Sequence, residues 1–385
     1  MTFLSEDHLT LQEATREFAE REVMPIAASL DLEDKRIPED LLAKMADMGL
    51  FGVSLPTEYG GLGMDTVALC VVTEELARAS LSVGSVIHRN SICGHILAKF
   101  GTMQQKDRFL AGMASGKIQT ASAGTESEAG SDAANIKTTA RRERDDYIVN
   151  GGKQWCTFAD RANVLFTYVR TSKSSKHGGI SLLMVEKPAG DFSPPALTAT
   201  RLPTAGYRGM YSYTLHFDDL RVPSANLLGE EEGNGFRQLM GGYETARITF
   251  AFRCIGLARA AYEAALAYSH QRVQFGQPIA NFQAVRFRLA DMATQIEAAR
   301  ALAFTAARKF DQGSRADLEA GMAKLFASEM AHKIAWEALY IHGGTGYAID
   351  APVNRYWRDS GVLLIGEGTS DIQREVIARR ILGER

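Results

Sequence analysis

The segment LLIGEGTSDIQREV, residues 363–376, sets one carboxylate, Glu367, between Gly366 and Gly368. Glycines on both sides let a backbone approach a ligand closely, because no Cβ intervenes. The Leu363-Leu364-Ile365 run in front of it predicts an apolar wall. A carboxylate against such a wall loses hydration and its pKa rises towards neutrality, which suits proton abstraction. The same residues also read as a plain helix start. Thr369 or Ser370 would be the N-cap, Asp371 would complement the helix dipole, and Glu367 would stand in water.

Four further clusters bear on the choice. AGTESEAGSD, residues 123–132, offers small residues with free backbone N–H groups and the hydroxyls of Thr125 and Ser131. That inventory holds a phosphate or a planar polar ring, and it equally makes a capped surface turn. In NGGKQWCTFADRA, residues 150–162, Trp155 and Thr157 fall two apart, hence on one strand face. They could stack on a flat cofactor and bond its edge, or Trp155 could be core. RVQFGQPIANFQAV, residues 272–285, places Arg272, Phe275 and Gln283 around a turn between helices. An Arg there can grip a phosphate, or the segment is an ordinary helix connection. YIHGGTGYAID, residues 340–350, carries a Gly-Gly-x-Gly turn that follows a helix, so it is no Rossmann fingerprint.

The elements that must position these residues come in three textures. Residues 1–118 read as helices, including a very apolar, small-residue stretch from Val67 to Lys99 that should be buried on most sides. Residues 119–225 read as a β domain, with Asn150-Gly151-Gly152 as a hairpin signal and the charged run Arg141–Asp146 as a solvated hairpin. Residues 226–385 read as four long helices, at 235–272, 282–312, 315–342 and 369–383. Short connections favour an antiparallel bundle. The fold class is therefore multidomain α+β: an N-terminal helical domain, a barrel-like β domain and a C-terminal four-helix bundle.

Composition excludes some functions. The chain has 385 residues, 45% hydrophobic and 23% charged, with net charge −3, so bulk electrostatics do not favour nucleic acid. Four scattered cysteines form no CxxC pair, which points away from zinc or redox motifs and towards a reducing compartment. No metal site is expected. The acidic, amphipathic start lacks a signal-peptide core, and no run approaches the length of a membrane span, so a soluble cytoplasmic protein is expected.

Taken in order, the clusters resemble the acyl-CoA dehydrogenase family over essentially the whole chain. Its Thr-Glu-Pro-x-Ala-Gly-Ser-Asp segment is matched by Thr125–Asp132, its Trp-Ile-Thr by Trp155-Cys156-Thr157, its Arg-x-x-Phe-Gly with a later Gln by Arg272, Phe275, Gly276 and Gln283, and its Tyr-Glu-Gly-Thr by Gly366-Glu367-Gly368-Thr369. The resemblance implies FAD between the helical and β domains. Thr125, Trp155, Thr157 and Ser131 would meet the flavin, with Thr369 beside it. Gly343 and Gly344 would lie near the FAD diphosphate or adenine. Arg272, Phe275 and Gln283 would reach the FAD of a neighbouring subunit, implying a homo-oligomer, usually a tetramer. Ser131, Tyr243, Glu244, Arg247 and Gly368 would bind the thioester. Glu367 would take the α-proton while a β-hydride goes to flavin N5, with the thioester carbonyl polarised by a backbone N–H and the flavin ribityl chain. Electron-transfer flavoprotein is the implied acceptor. Some members carry the base one residue before the helix Arg, but that position is Ala246 here, which favours Glu367.

The departures concern the acyl pocket. Gly366 replaces the family's Tyr, Ser127 its Pro, Cys156 its Ile, Phe158 its Asn or Ser, and Tyr340-Ile341-His342 the stretch with its Gln. They argue against assuming a straight-chain fatty-acyl substrate. By resemblance, His88-Arg89-Asn90 lies in the helix bordering the acyl chain. Arg89 there either snorkels or pairs with a carboxylate, or it meets an acyl group that itself bears a carboxylate or other polar group. Other readings of the same chain are an acyl-CoA oxidase, a dehydrogenase of carrier-protein-bound acyl groups, a flavin-bearing lyase or binding protein, and a helical scaffold without catalysis.

Overall fold

The computed structural model describes residues 3–173 and 175–383. It has N-terminal helices, a central curled sheet and a C-terminal helical bundle, as the three textures predict. The first unit contains α1 (Glu6–Phe18), α2 (Met24–Leu32), α3 (Glu39–Asp47), α4 (Thr66–Ala79), α5 (Leu81–Phe100) and α6 (Met103–Ala114). The apolar stretch from Val67 to Lys99 is not one helix. Ser80 is extended, at φ −157° and ψ 121°, and breaks it into α4 and α5. The burial expectation holds: every residue of α4 is buried.

The sheet comprises β1 (Thr120–Ala123), β2 (Thr139–Glu143), β3 (Asp146–Thr157), β4 (Val164–Arg170), β5 (Ile180–Glu186), β6 (Leu197–Leu202) and β7 (Ser212–Pro223). Its order is β1-β4-β2-β3-β7-β6, with β5 on the other side of β4. The charged run makes the turn between β2 and β3, where Glu143 pairs with Asp146. The Asn150-Gly151-Gly152 hairpin does not form. These residues run through the middle of β3, beside a bulge against β7. Gly151 serves close approach instead. It holds φ 138°, and a Cβ there would lie 2.7 Å from Thr138 Cα.

The C-terminal unit has α7 (Gly235–Gln271), a two-residue-strand hairpin of β8 (Val273–Gln274) and β9 (Gln277–Pro278), α8 (Gln283–Asp311), α9 (Asp317–His342), the short α10 (Gly344–Tyr347), α11 (Pro352–Ile365) and α12 (Ser370–Ile381). The four expected helices are present, and α11 is an addition. It begins at Pro352, a residue suited to a first helical turn, and buries Val353, Ser360 and Leu363. The surrounding glycines and Ala351-Pro352 hid that spacing.

Packing around α7 fixes the relation of the domains. α7 crosses α4 at Gly256, where a Cβ would come within 2.4 Å of Glu74 O. Beneath this crossing the buried Glu74 and Glu75 are met by Arg259, at 2.7 and 2.9 Å. Arg300 of α8 reaches Glu74 at 2.8 Å and Arg16 of α1 reaches Glu75 at 3.2 Å. Two buried carboxylates surrounded by arginines from three other helices tolerate little relative movement. Gly256→Ala should force α4 and α7 apart and cost about 1–3 kcal/mol, the usual range for overpacking; thermal unfolding of the variant measures it.

Candidate active site

Glu367 lies in the connection between α11 and α12 with φ 55°, a left-handed conformation unusual for a residue with a Cβ. Its neighbours make that possible. Gly366 passes within 3.4 Å of the Phe250 ring, measured from where a Cβ would be, and Gly368 has φ 91°. The buried Lys324 of α9 donates to the carbonyls of Leu363 (3.1 Å) and Gly368 (2.9 Å). Gln373 of α12 donates to the carbonyls of Glu367 (3.2 Å) and Gly368 (3.1 Å). Thr369 caps α12, accepting from Ile372 N at 3.3 Å. The helix-start reading is thus right for Thr369 and wrong for Glu367, which is only partly exposed and points its carboxylate at buried His88.

The carboxylate meets a histidine. His88 Nε2 of α5 lies 2.5 Å from Glu367 Oε1, and His88 Nδ1 lies 2.7 Å from Thr249 Oγ1 of α7. Glu367 Oε2 is buried and has no hydrogen-bond partner among the described residues. The expectation of a raised pKa is not met. Burial does push it up, but His88, Arg253 and Arg89 together hold the carboxyl below its ordinary range. The apolar wall is also different: Leu363 is buried, Ile365 is 67% exposed, and Phe250 supplies the nearest apolar surface.

Cations crowd this carboxylate. Arg253 donates to Tyr207 Oη at 3.2 Å and lies over the Phe250 ring at 4.7 Å. Arg247 lies 5.2 Å over the Tyr243 ring, and its buried Nε is unpartnered. Arg89 is partly buried, its Nε is buried without a partner, and no hydrogen bond or ion pair among the described residues holds its guanidinium. Its field reaches Glu367, His88, Cys93 and, on β3, Cys156. Burial raises the Tyr243 phenol to about 12, raises Glu244 and lowers Arg247.

On the sheet side the bulge in β3 reorients the aromatic. Trp155 has φ 57°, the β3–β7 register shifts between Lys153 and Cys156, and simple alternation with Thr157 is lost. Trp155 is 55% exposed whereas Thr157 is buried against Ser212 Oγ at 2.8 Å, so the expected shared face is not a plain strand face. The loop with Thr125 and Ser131 is tied beside it. Gln154 N donates to Thr125 O at 2.8 Å. Buried Glu126 binds Lys153 Nζ at 2.7 Å and accepts from Lys137 N and Thr138 N. Ser131 and Gly130 are exposed, and nothing lies within 4 Å of a Cβ built on Gly130. An exposed indole next to an open glycine edge and a fixed Thr fits a flat polar ring system.

The remaining candidates stand apart from this centre. Arg272, Phe275 and Gln283 are exposed on the β8–β9 hairpin and the start of α8, with Phe275 94% exposed. Gly343 and Gly344 are exposed at the end of α9, with no atom within 4 Å of a built Cβ. The sequence reading missed His88, Thr249, Lys324 and Gln373 as partners of Glu367 and its loop. His88 and Thr249 lie 161 positions apart, and only the α5–α7 contact joins them.

Family models match along the chain: acyl-CoA dehydrogenase N-terminal domain at residues 5–117, middle domain at 121–220 and C-terminal domain at 233–382. The chain belongs to the acyl-CoA dehydrogenase family. It is 39% identical over 384 residues to (2S)-methylsuccinyl-CoA dehydrogenase of Cereibacter sphaeroides, covering 98% of this chain and 70% of the relative. Butyryl-CoA dehydrogenase of Megasphaera elsdenii superposes with TM-score 0.94 at 33% identity, covering 98% and 99% of the two chains. A glutaryl-CoA dehydrogenase in complex with glutaryl-CoA gives TM-score 0.94 at 33% identity, covering 99% and 96%. A glutaryl-CoA dehydrogenase of Mycobacterium smegmatis with FADH2 gives 0.91 at 25%, covering 99% and 96%. The chain is accordingly a flavin-dependent oxidoreductase that dehydrogenates acyl-CoA. Among the described residues no helix is long and apolar enough to cross a membrane.

Lys324→Met should leave the carbonyls of Leu363 and Gly368 without their buried donor. The expected outcome is a local loosening of residues 363–370, read as faster amide hydrogen exchange there, with a loss of about 1–3 kcal/mol in stability.

Proposed function

We propose that the substrate is an acyl-CoA whose short acyl chain carries a carboxylate, and that Arg89 is its counter-ion. The observation that carries this is Arg89 itself, a partly buried guanidinium with no hydrogen bond or ion pair among the described residues, close enough to act on both Glu367 and the Trp155 strand. An unpaired cation in such a place is costly, and an apolar acyl chain would bury it further. A substrate carboxylate compensates it and can accept two parallel N–H bonds. Because guanidinium and base serve one pocket, few carbons separate the reacting centre from the carboxylate. The methylsuccinyl- and glutaryl-CoA dehydrogenases among the relatives give the same direction.

FAD would be held by Thr125, Ser131, Trp155, Thr157 and Thr369, with Gly343 and Gly344 towards its diphosphate. Arg272, Phe275 and Gln283 would serve a second copy's FAD in a homotetramer; the 94% exposure of Phe275 supports a partner surface there. Tyr243, Glu244, Arg247, Ser131 and Gly368 would hold the pantetheine and thioester. When bound, flavin supplies the acceptor for the hydride leaving the β-carbon. Glu367 Oε2 takes the α-proton, and the electron pair of the broken C–H bond becomes the new C=C bond. The N–H of Glu367 polarises the thioester carbonyl and acidifies that proton. Electron-transfer flavoprotein is the proposed acceptor and the cytoplasm the proposed compartment, to which four free, buried thiols are suited.

Anaerobic titration of the yellow protein with butyryl-, methylsuccinyl- and glutaryl-CoA should bleach the flavin most readily with a carboxylate-bearing thioester. Arg89→Met should lose ten- to a hundredfold in kcat/KM on that thioester and at most about threefold on butyryl-CoA. An equal loss on both would remove the assignment. Glu367→Gln should still bind acyl-CoA but lower kcat by about a thousandfold, as expected for loss of a general base.

A further inference from the structure

His88 is positioned as closely on the base as any group in the protein, yet proton abstraction by Glu367 does not require it. We propose that His88 and Thr249 form a switchable support for the base. The His88 Nε2–H fixes Oε1 so that Oε2 alone faces the substrate, and the Thr249 hydroxyl decides whether the ring carries one proton or two. The inference rests on Glu367 being the base.

The hydrogen bonds allow two complete arrangements. In the first, His88 is neutral, Nε2–H donates to Oε1 of the carboxylate, and the Thr249 O–H donates to Nδ1. Every polar atom of the ring then has a partner, and Oε2 keeps its lone pairs for the α-proton. In the second, the ring has gained a proton on Nδ1. That N–H now donates to Thr249 Oγ1, whose own proton turns to the carbonyl of Thr245 at 2.9 Å or Ala246 at 3.2 Å. Thr249 thus sits where one rotation of a hydroxyl exchanges the donor and acceptor roles. The remaining arrangement, neutral His88 with its proton on Nδ1, sets an Nε2 lone pair against a carboxylate oxygen at 2.5 Å and is disfavoured.

The two arrangements differ in what Glu367 can do. Opposite neutral His88 the carboxylate is oriented and retains its basicity. Opposite an imidazolium it is part of an ion pair and a much weaker base. The surroundings bias the pair to the active form near neutral pH. His88 is wholly buried, and burial with the nearby Arg253 and Arg89 outweighs Glu367 and holds the imidazole below its ordinary value. The other groups that face Glu367 are Arg247 and Tyr243 of α7 and Lys324 of α9. The thiols of Cys93 and Cys254 feel Glu367 but are pushed to about 11 and about 12, and Tyr243 to about 12, so they stay protonated and do not compete. On acidification the first proton goes to the hydrogen-bonded His88–Glu367 pair, where the Nδ1–H to Thr249 bond lets the ring hold it, and activity falls through a limb that the pair sets.

The pH dependence of kcat/KM between about pH 5 and 8, measured on flavin-loaded enzyme with its best thioester, tests this with three variants. His88→Gln keeps an N–H donor for Oε1 but cannot titrate, so its acid limb should move to lower pH by a unit or more, with kcat at neutral pH within about tenfold of the parent. His88→Leu removes the donor and leaves a buried, less supported carboxylate, so its acid limb should move to higher pH. Thr249→Val removes the acceptor that the doubly protonated ring needs, so its limb should move lower. Opposite shifts for Gln and Leu separate a donor from a space-filling ring. Shifts of His88→Gln and His88→Leu in the same direction, or unmoved limbs in all three variants, would overturn the proposal. Ring-¹⁵N NMR of selectively labelled histidine gives a readout independent of turnover: His88 should show the Nε2–H form at neutral pH, and an Nδ1–H form would refute it. Glu367→Gln run alongside keeps the premise separate: an active Glu367→Gln enzyme would discard Glu367 as base, whereas an inactive one with unmoved His88 limbs would discard only the support.

Discussion

Glu367 holds a left-handed backbone conformation that its side chain does not favour, and the fold around it exists to keep it there. Such a residue persists only where its surroundings over-determine it. Here they do so from three helices. Lys324 and Gln373 take the carbonyls of the loop, and His88 takes one carboxylate oxygen. Gly366 and Gly368 remove the two Cβ atoms that would crowd Phe250 and Gln373. What results is a carboxylate with one oxygen fixed and the other, though buried, without a hydrogen-bond partner among the described residues, which is the geometry a directional proton transfer needs.

The electrostatics of the pocket are unusual for a site that handles an acyl chain. Arg89, Arg247, Arg253 and Lys324 all act in the region where Glu367 is the carboxylate in question. Burial raises the pKa of Glu367, but His88 first, then Arg253 and Arg89, more than offset it, so the carboxyl is held ionised rather than poised near neutrality. Its strength at the moment of reaction must then come from the approach of the substrate and from the state of His88. Arg89 and Arg247 both lack a hydrogen bond or ion pair among the described residues, but Arg247 lies over the Tyr243 ring whereas Arg89 has no aromatic ring beneath it either.

The β domain contributes by irregularity. A regular β3 would alternate Trp155 and Thr157 onto one face. The bulge instead exposes the indole and buries the threonine, while the Glu126–Lys153 pair ties the neighbouring loop to the same strand. Bulges commonly re-aim side chains beside active sites, and the glycine at Gly151 lets β3 pass close to Thr138 on the way.

The sequence alone determined the helix–sheet–helix order and the family, and it singled out Glu367 as the candidate base. Those are carried by local periodicity and by short motifs whose residues are neighbours in the chain. It could also place Thr369 as a cap, because capping chemistry is local. It misread Asn150-Gly151-Gly152 as a turn, because a glycine required for close approach looks the same as one required for a reversal. It missed α11, whose apolar spacing is hidden among glycines and a single proline, Pro352. It raised the pKa of Glu367 where the structure lowers it, since the apolar run before the residue was visible and the histidine and arginines were not. Only the tertiary structure decided those points. The contacts His88–Glu367, His88–Thr249 and Lys324–Gly368 join residues separated by 279, 161 and 44 positions. Such pairings arise from how helices pack, and no periodicity along one chain encodes them.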